Sequence, residues 1–480
     1  MTNQNKKFYV TTSIAYTNEL PHIGFALESI QADVIARYNR LLNKDVFFLT
    51  GTDEHGAKVA KSAEEKRKDP KEFVDEISNK YKALKDLLNL SNDDFIRTTD
   101  QKRHWPSVKK VWLKLKEKGD IYKKKYKGLY CSGCEAFITK KDLKDGKCII
   151  HQKEPEAIEE ENYFFRLSKY SGEIEKLIKE GTIKIIPETK KNENLSFIKQ
   201  GLEDISFSRP RKDLKWGIPV PDDNTQTIYV WADALSNYIS ALGYAENDKK
   251  FQKFWPADVH CIGKDIQKFH CLIWPGMLLS LKLPLPKAIF VHGFITVAGQ
   301  KMSKSLGNVI DPFELVKKYG TDPVRYFLLR EIPSTEDGDF TYEKFEQRYN
   351  SDLASGLGNL VARVLTLAEK SKNQNSKSKT TIQNAKIIKN AWDKYRKTLN
   401  DFRFNEALAS IWNLISFCDK YIEKEKPWEE GKNQKIVISN LLYAIANIAK
   451  MLQPFLPETS ERISKQLKIR KSKPLFPRLK

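Results

Sequence analysis

The chain opens on a short β-prone run, Phe8-Tyr9-Val10-Thr11-Thr12. Beyond it, apolar residues fall at Ile23, Leu27, Ile30, Val34, Tyr38 and Leu41. They stand three or four apart, and that spacing predicts a helix over about 23–42. Val46-Phe47-Phe48-Leu49, closed by Gly51, predicts a second strand. Strand, helix and strand at this pitch predict a parallel pair with a right-handed crossover. Residues 62–118 carry mostly amphipathic helical patterning. Residues 119–225 differ: Gly and Cys punctuation, short β-like runs and an acidic stretch at Glu154–Glu161 read as an insertion. Parallel-sheet character returns at Thr227–Val230, Val259–Ile262 and Ala288–Val291, between helical stretches. From about Asp352 the pattern is almost entirely helical, broken by the polar loop Lys372–Thr380. The expected class is α/β, with an all-α region after it. No internal repeat is visible.

Composition narrows this picture modestly. A chain of 480 residues with 40% hydrophobic content can fill several cores. The net charge of +21 suits a polyanionic partner, although lysines spread along much of the chain also fit a solvated surface. No secretory leader and no apolar run of about 18 residues is evident, so a soluble cytoplasmic protein with no membrane partner is expected. Six cysteines do not make a disulfide framework. Cys131, Cys134, Cys148 and His151 form C-x₂-C-x₁₃-C-x₂-H. Two knuckles of this spacing make a closed tetrahedral site for one structural Zn²⁺. A redox pair and four unmetallated residues are the competing readings. Cys261, Cys271 and Cys418 lie in apolar contexts and read as core.

Two further segments carry chemistry. Pro21-His22-Ile23-Gly24 lies between the first strand and the first helix, where α/β sheets bind ligands. A helix N-terminus offers free N–H groups and a positive dipole end to phosphate. His22 can donate to a phosphate oxygen, and Gly24 lets a base or ribose approach the backbone. Lys301-Met302-Ser303-Lys304-Ser305 follows Gly299 and suits a clamp on a triphosphate, with lysines where negative charge shifts. Taken singly, the first is more often a surface histidine and the second an exposed basic loop.

In this order and about 280 residues apart, PHIG and KMSKS resemble the two signatures of class I aminoacyl-tRNA synthetases. TTSIAYTNELPHIG (11–24), FFLTGTDEHG (47–56), WGIPVP (216–221), YVWADALSNY (229–238), IGKDIQKFH (262–270) and FVHGFITVAGQKMSKS (290–305) are similar to the methionine-specific family. The resemblance spans residues 8 to about 430. It implies a Rossmann-type parallel-sheet catalytic domain in two halves, 1–118 and 226–295. The zinc-bearing insertion at 119–225 splits them, and a KMSKS junction (296–350) and a helical anticodon-binding domain (351–480) follow.

The roles implied by the resemblance are these. Asp53 binds the methionine ammonium, and Ile14, Tyr16, Trp231, Tyr238, Phe269 and His270 form the side-chain pocket. Gly263, Lys264 and Asp265 hold the adenosine, with Glu28 also in reach of the nucleotide. His22, Lys301 and Lys304 act on the phosphates, aided by Gly24 and Ser303, with Mg²⁺ accompanying ATP. Asn359, Arg363 and Trp428 meet the anticodon of tRNA(Met), where hydrogen bonding and stacking read unpaired bases. The expected reaction is activation of methionine to its adenylate, then transfer to the tRNA 3′ end.

One position departs from the family. The first signature ends in His or Asn, and here the fourth residue is Phe25, which cannot donate to phosphate. That departure is the best argument for the alternative, a catalytically weakened tRNA-binding paralogue. Leucine, isoleucine and valine synthetases carry a large editing domain, for which residues 119–225 leave little room. A cysteine synthetase would place zinc at its amino-acid pocket. A chain ending about 50 residues past Trp428 lacks room for an appended dimerisation module, so a monomer is expected.

Overall fold

A computed structural model describes residues 6–131, 133, 136–138, 142–149, 152–246, 248–302, 307–371, 382–429 and 433–479. Cys134, His151, Ser303, Lys304 and the 372–380 loop lie outside the described residues. The chain divides into two compact units. One comprises Met1–Pro21, Asn39–Lys85 and Ser91–His292; the other comprises His22–Tyr38, Asp86–Leu90 and Gly293–Lys480.

The first unit is built on a parallel sheet. Its strands run in the order Lys184–Ile186, Ala288–His292, Val259–Gly263, Lys7–Thr11, Asp45–Asp53, with Ala15–Tyr16 and Asp94–Arg97 both paired to Asp45–Asp53. Eight of the nine residues of Asp45–Asp53 are buried, the signature of a strand covered on both faces. Tyr9, Phe47, Trp112, Phe165 and Trp274 anchor the core around it. The helices Ala57–Glu65, Pro70–Leu87 and Trp105–Glu117 follow the amphipathic pattern of that stretch, but Asp94–Arg97 between them is a sheet strand.

Two strands expected or overlooked in the sequence behave differently. Thr227–Val230 does not join the parallel sheet. Asp223–Ile228 pairs antiparallel with Ser208–Pro210 and Pro219–Val220 in a separate small sheet, and a helix begins at Val230. Five of the six residues in DNTQTI are polar, which does not make the apolar run of a doubly covered strand. Lys184–Ile186, inside the span read as insertion, is an edge strand of the parallel sheet.

Within 119–225, a four-stranded antiparallel sheet joins Ile121–Cys131, Ala136–Ile138, Glu156–Phe165 and Ile205–Ser206. Lys125 and Lys127 face Glu161 and Glu159, so the acidic stretch answers a basic one across the ladder. Beside it Cys131, Ile138 and Cys148 form a small separate core.

The second unit contains a three-stranded sheet, Ile295–Val297, Gln300–Lys301 and Gly338–Phe340, and the C-terminal helices. Helices Asn359–Lys370, Ile382–Asn400, Phe404–Glu425, Gln434–Leu452 and Pro457–Ile469 make the bundle. Gln434–Leu452 is long and apolar enough to cross a membrane by length and composition. Yet 67% of that window is buried inside the protein, as befits a core helix.

Candidate active site

The strand order reverses at Lys7–Thr11, with Asp45–Asp53 on one side and Val259–Gly263 on the other. Thr12 N–H donates to the Leu49 carbonyl (3.1 Å) and Ser13 N–H to the Cys261 carbonyl (2.9 Å), so the segment stays tied to both neighbours past its end. Such a switch point at strand carboxyl ends is where α/β sheets open a crevice for ligands. Ile14, the next residue, lies against Gly51: a Cβ there would come 3.0 Å from its side chain and collide with the Ile96 carbonyl.

Asp53 ends the Asp45–Asp53 strand and is buried. Tyr16 pairs with it in register, and Thr17 N–H donates to its carbonyl at 3.0 Å. The next residue holds the turn in place. The Glu54 carboxylate takes a fork from Arg97 (2.6 and 2.9 Å) and a bond from the Thr52 hydroxyl (2.7 Å). Trp216 of the WGIPVP segment donates its indole N–H to the Glu54 carbonyl (2.5 Å) and accepts Gly56 N–H (3.2 Å). His55 closes the turn from inside. Its Nδ1 lies 2.7 Å from Asp233, whose other carboxylate oxygen meets His104 Nε2 at 2.7 Å.

The aromatic residues named from the sequence come together in the same unit. Trp231 and Phe269 stack with centroids 3.8 Å apart at 7°. Phe269 opens a π-helical turn, Phe269–Ile273, a distortion common at ligand sites. His270 Nδ1 lies 3.0 Å from the Ile266 carbonyl, which only accepts, so Nδ1 carries the hydrogen. Its Nε2 therefore accepts from the Tyr238 hydroxyl at 2.7 Å. Burial lowers the His270 pKa to about 4, so the ring is neutral at physiological pH. Beneath Tyr238, His260 is pushed well below its ordinary value by burial and then by His270. Gly263 ends its strand; a Cβ there would meet the Asp265 carboxylate at 2.8 Å. Lys264 and Asp265 follow in a 3₁₀ turn, with Asp265 exposed.

The second unit holds the signature residues. The helix Ile23–Leu41 begins there, and the His22 ring covers Gly24, where a Cβ would come 2.8 Å from the ring. The helix start does not offer the free N–H groups expected from the sequence. Ile23 N–H donates to the Ile310 carbonyl, Gly24 N–H to His22 Nδ1 (3.0 Å), and Phe25 and Ala26 N–H to the His22 carbonyl. The local turn consumes those amides. One consequence is useful: in neutral His22 an accepting Nδ1 leaves the hydrogen on Nε2. Phe25 is half-buried and Glu28 is buried. Met302 brings its methyl within 3.8 Å of a Cβ built on Gly24. Lys301 is exposed at the end of a tight hairpin whose turn residues, Ala298 (φ 51°) and Gly299 (φ 74°), are both left-handed. Asp339 ties that hairpin, accepting from Gly299 N–H (2.7 Å) and Thr296 Oγ1 (2.8 Å).

On the helical part, Asn359 is exposed and Arg363 is half-buried, bonding Glu423 at 2.7 Å. Trp428 is 48% exposed, so it is not a core anchor. Of the four zinc ligands expected from the sequence, Cys131 and Cys148 are both buried and share one cluster. Among the described residues no group of three or more metal-ligating side chains is gathered, and Cys134 and His151 fall outside them.

Sequence reasoning missed Arg97, His104 and Asp233, and gave Trp216 and His55 no role of their own. Their partners lie 43 to 178 residues away, so no local spacing could signal them.

Comparison with known proteins identifies the family. The family described as tRNA synthetases class I (M) matches residues 8–142 and 134–365, and an anticodon-binding domain of tRNA ligases matches 386–476. A methionine--tRNA ligase of Thermotoga maritima is 46% identical, covering 96% of this chain and 75% of that protein. One from Brucella suis is 42% identical, covering 95% of this chain and 91% of that protein. The Mycobacterium tuberculosis methionyl-tRNA synthetase solved with methionyl-adenylate superposes with a TM-score of 0.90 at 37% identity. That match covers 96% of this chain and 93% of the other.

Proposed function

The chain belongs to the methionine-specific class I tRNA synthetases, and from that premise we propose how its residues divide the work. It is a methionine--tRNA ligase: methionine is activated with ATP and joined to tRNA. The methionine carboxylate attacks the α-phosphorus, the bond to the bridging oxygen breaks, and pyrophosphate leaves. A terminal ribose hydroxyl of tRNA then attacks the activated carbonyl and AMP leaves. Neither step needs a covalent enzyme intermediate, so positioning and electrostatics carry the rate.

Asp53 answers the methionine ammonium, a charge-assisted contact made stronger by burial. Trp231 and Phe269, with Ile14, Tyr16, Tyr238 and His270, take the thioether, whose sulfur favours ring contacts. Gly263 to Asp265 receive the adenosine, the exposed Asp265 accepting from ribose hydroxyls. His22 donates from Nε2 to a phosphate, and Lys301 and Lys304 follow the charge onto pyrophosphate, with Gly24, Glu28 and Ser303 around the nucleotide. Mg²⁺ accompanies ATP. Asn359, Arg363 and Trp428 meet the anticodon. One chain carries all of these residues, so a monomer suffices, and joining methionine to tRNA is work for the cytoplasm.

The insertion is read as a zinc module. Among the described residues, Cys131 and Cys148 are buried and clustered with a single further buried residue, Ile138. A core that small needs a staple, and thiolates suit Zn²⁺. Cys134 and His151 would complete the set; the ion would hold the insertion's fold.

The observation that carries the reading is Asp53 at a strand end in the unit that also stacks Trp231 on Phe269. Methionine-dependent ATP–pyrophosphate exchange tests it. Asp53→Asn should raise the methionine KM by about 10²-fold, the scale of one lost buried charge pair. An unchanged KM removes Asp53 from the site. The catalytically weakened paralogue has no observation in its favour beyond Phe25.

A further inference from the structure

We propose that Asp233 is the positioning residue of the methionine pocket, one buried carboxylate that fixes three pocket-bearing segments together. The proposal rests on the pocket assignment above.

Asp233 is fully buried in the short helix Val230–Leu235. Residues two apart on a helix point to different sides. Trp231 thus turns its ring to Phe269, while Asp233 reaches into the interior. There its Oδ2 meets His55 Nδ1 and its Oδ1 meets His104 Nε2, each at 2.7 Å. A carboxylate only accepts, so both imidazoles donate to it. Burial alone would raise the Asp233 pKa; the His55 charge interaction and both histidine bonds outweigh it and hold the carboxyl ionised.

Each bond leads to a different part of the site. His55 stands two residues beyond Asp53, on the turn that Trp216 and Arg97 also hold. His104 Nδ1 meets the Ser240 hydroxyl at 2.7 Å. Ser240 belongs to the helix Asn237–Ser240, which carries Tyr238. Its own helix carries Trp231. The ammonium ligand, the aromatic wall and the hydroxyl that donates to His270 are thereby referred to one point. None of the three tied residues is itself a network member, so the network acts through position and not by contact with substrate.

Asp233→Asn separates this role from fold stability. An amide keeps the shape, accepting from one histidine and donating to the other in its alternate tautomer. It loses the charge that strengthens both bonds. In methionine-dependent ATP–pyrophosphate exchange, normalised to active sites, the methionine KM should rise about tenfold, the effect of one lost charge-assisted bond. The ATP KM should stay within about twofold on the same reasoning. Calorimetric methionine binding without ATP should weaken by the same factor. His104→Gln, whose amide nitrogen stands where Nε2 was and retains a donor to Asp233, should show a smaller rise of the same selectivity and serves if Asp233→Asn does not fold. An unchanged methionine KM, or equal rises for both substrates, overturns the proposal. Trp231→Ala is the control for the pocket itself. If it leaves methionine binding intact, the pocket assignment fails and this inference with it. If it abolishes binding while the Asp233 and His104 variants leave it intact, only the inference fails.

Discussion

Phe25 occupies the position where a phosphate donor stands in related signatures, on a helix whose first amides are already bonded to His22 and Ile310. The dipole end remains, but His22 is left as the local donor. Phe25→His should therefore preserve or raise ATP–pyrophosphate exchange, by as much as the ~10² that one transition-state donor contributes elsewhere. A large loss would show that the half-buried ring packs something the site needs. A second residue-scale consequence concerns acid. His270 and His260 are held neutral by burial, His270 down to about 4. The unfolded chain protonates near 6.5 while the folded chain does not, so folding stability is complete above pH 6.5 and falls as pH drops from there toward 4. His270 alone should cost about 2 kcal/mol by pH 5. His270→Asn should flatten that part of a denaturation series; an unchanged slope would mean that the ring is protonated in the folded state.

Among the elements, Thr321–Arg330 gathers three parts of its unit. Arg325, fully buried, donates to the Phe455 and Pro454 carbonyls, to the Leu88 carbonyl, and to Asp33 at 2.8 Å. Asp33 lies on the helix that begins beside His22, and one turn before Arg325 the Asp322 carboxylate caps Thr459 N–H at 2.6 Å. Arg325→Met fills the space but takes the donor from three carbonyls and leaves Asp33 without its buried cation, so it should destabilise this unit by about 3–5 kcal/mol in a urea titration. A change below 1 kcal/mol would mean that Arg37, which also bonds Asp33, suffices alone. The sequence showed elements like Ile23–Leu41 and Asp45–Asp53 because their length repeats a period several times. It did not show Asp94–Arg97 or Lys184–Ile186, since three or four residues hold too little of a period to register. Thr227–Val230 misled because β-branched and aromatic residues also end an antiparallel strand and begin a helix. The site divides along the same line. Residues in contiguous motifs were legible through resemblance. The Asp233 and Glu54 networks were not, because pairs 43 to 178 residues apart leave no trace in spacing.

The whole molecule separates two kinds of recognition. Every residue assigned to the methionine pocket belongs to the sheet-based unit, whereas Asn359, Arg363 and Trp428 belong to the other. Pyrophosphate exchange needs no tRNA, so it reads the first without the last three; aminoacylation reads both. With a net charge of +21, the protein should also depend on salt in only one assay. Raising salt should increase the tRNA KM steeply through counterion release and leave exchange nearly flat. Trp428, 48% exposed, is the cleaner probe because its removal opens no cavity. Trp428→Ala should lower kcat/KM for tRNA by the ~1–3 kcal/mol of one base stack, roughly ten- to a hundredfold. Exchange should keep its rate and the thermal midpoint should not move. Equal losses in both assays would make Trp428 a support of the fold. Loss of aminoacylation with an unchanged tRNA KM would move its role from binding to the arrangement of bound tRNA.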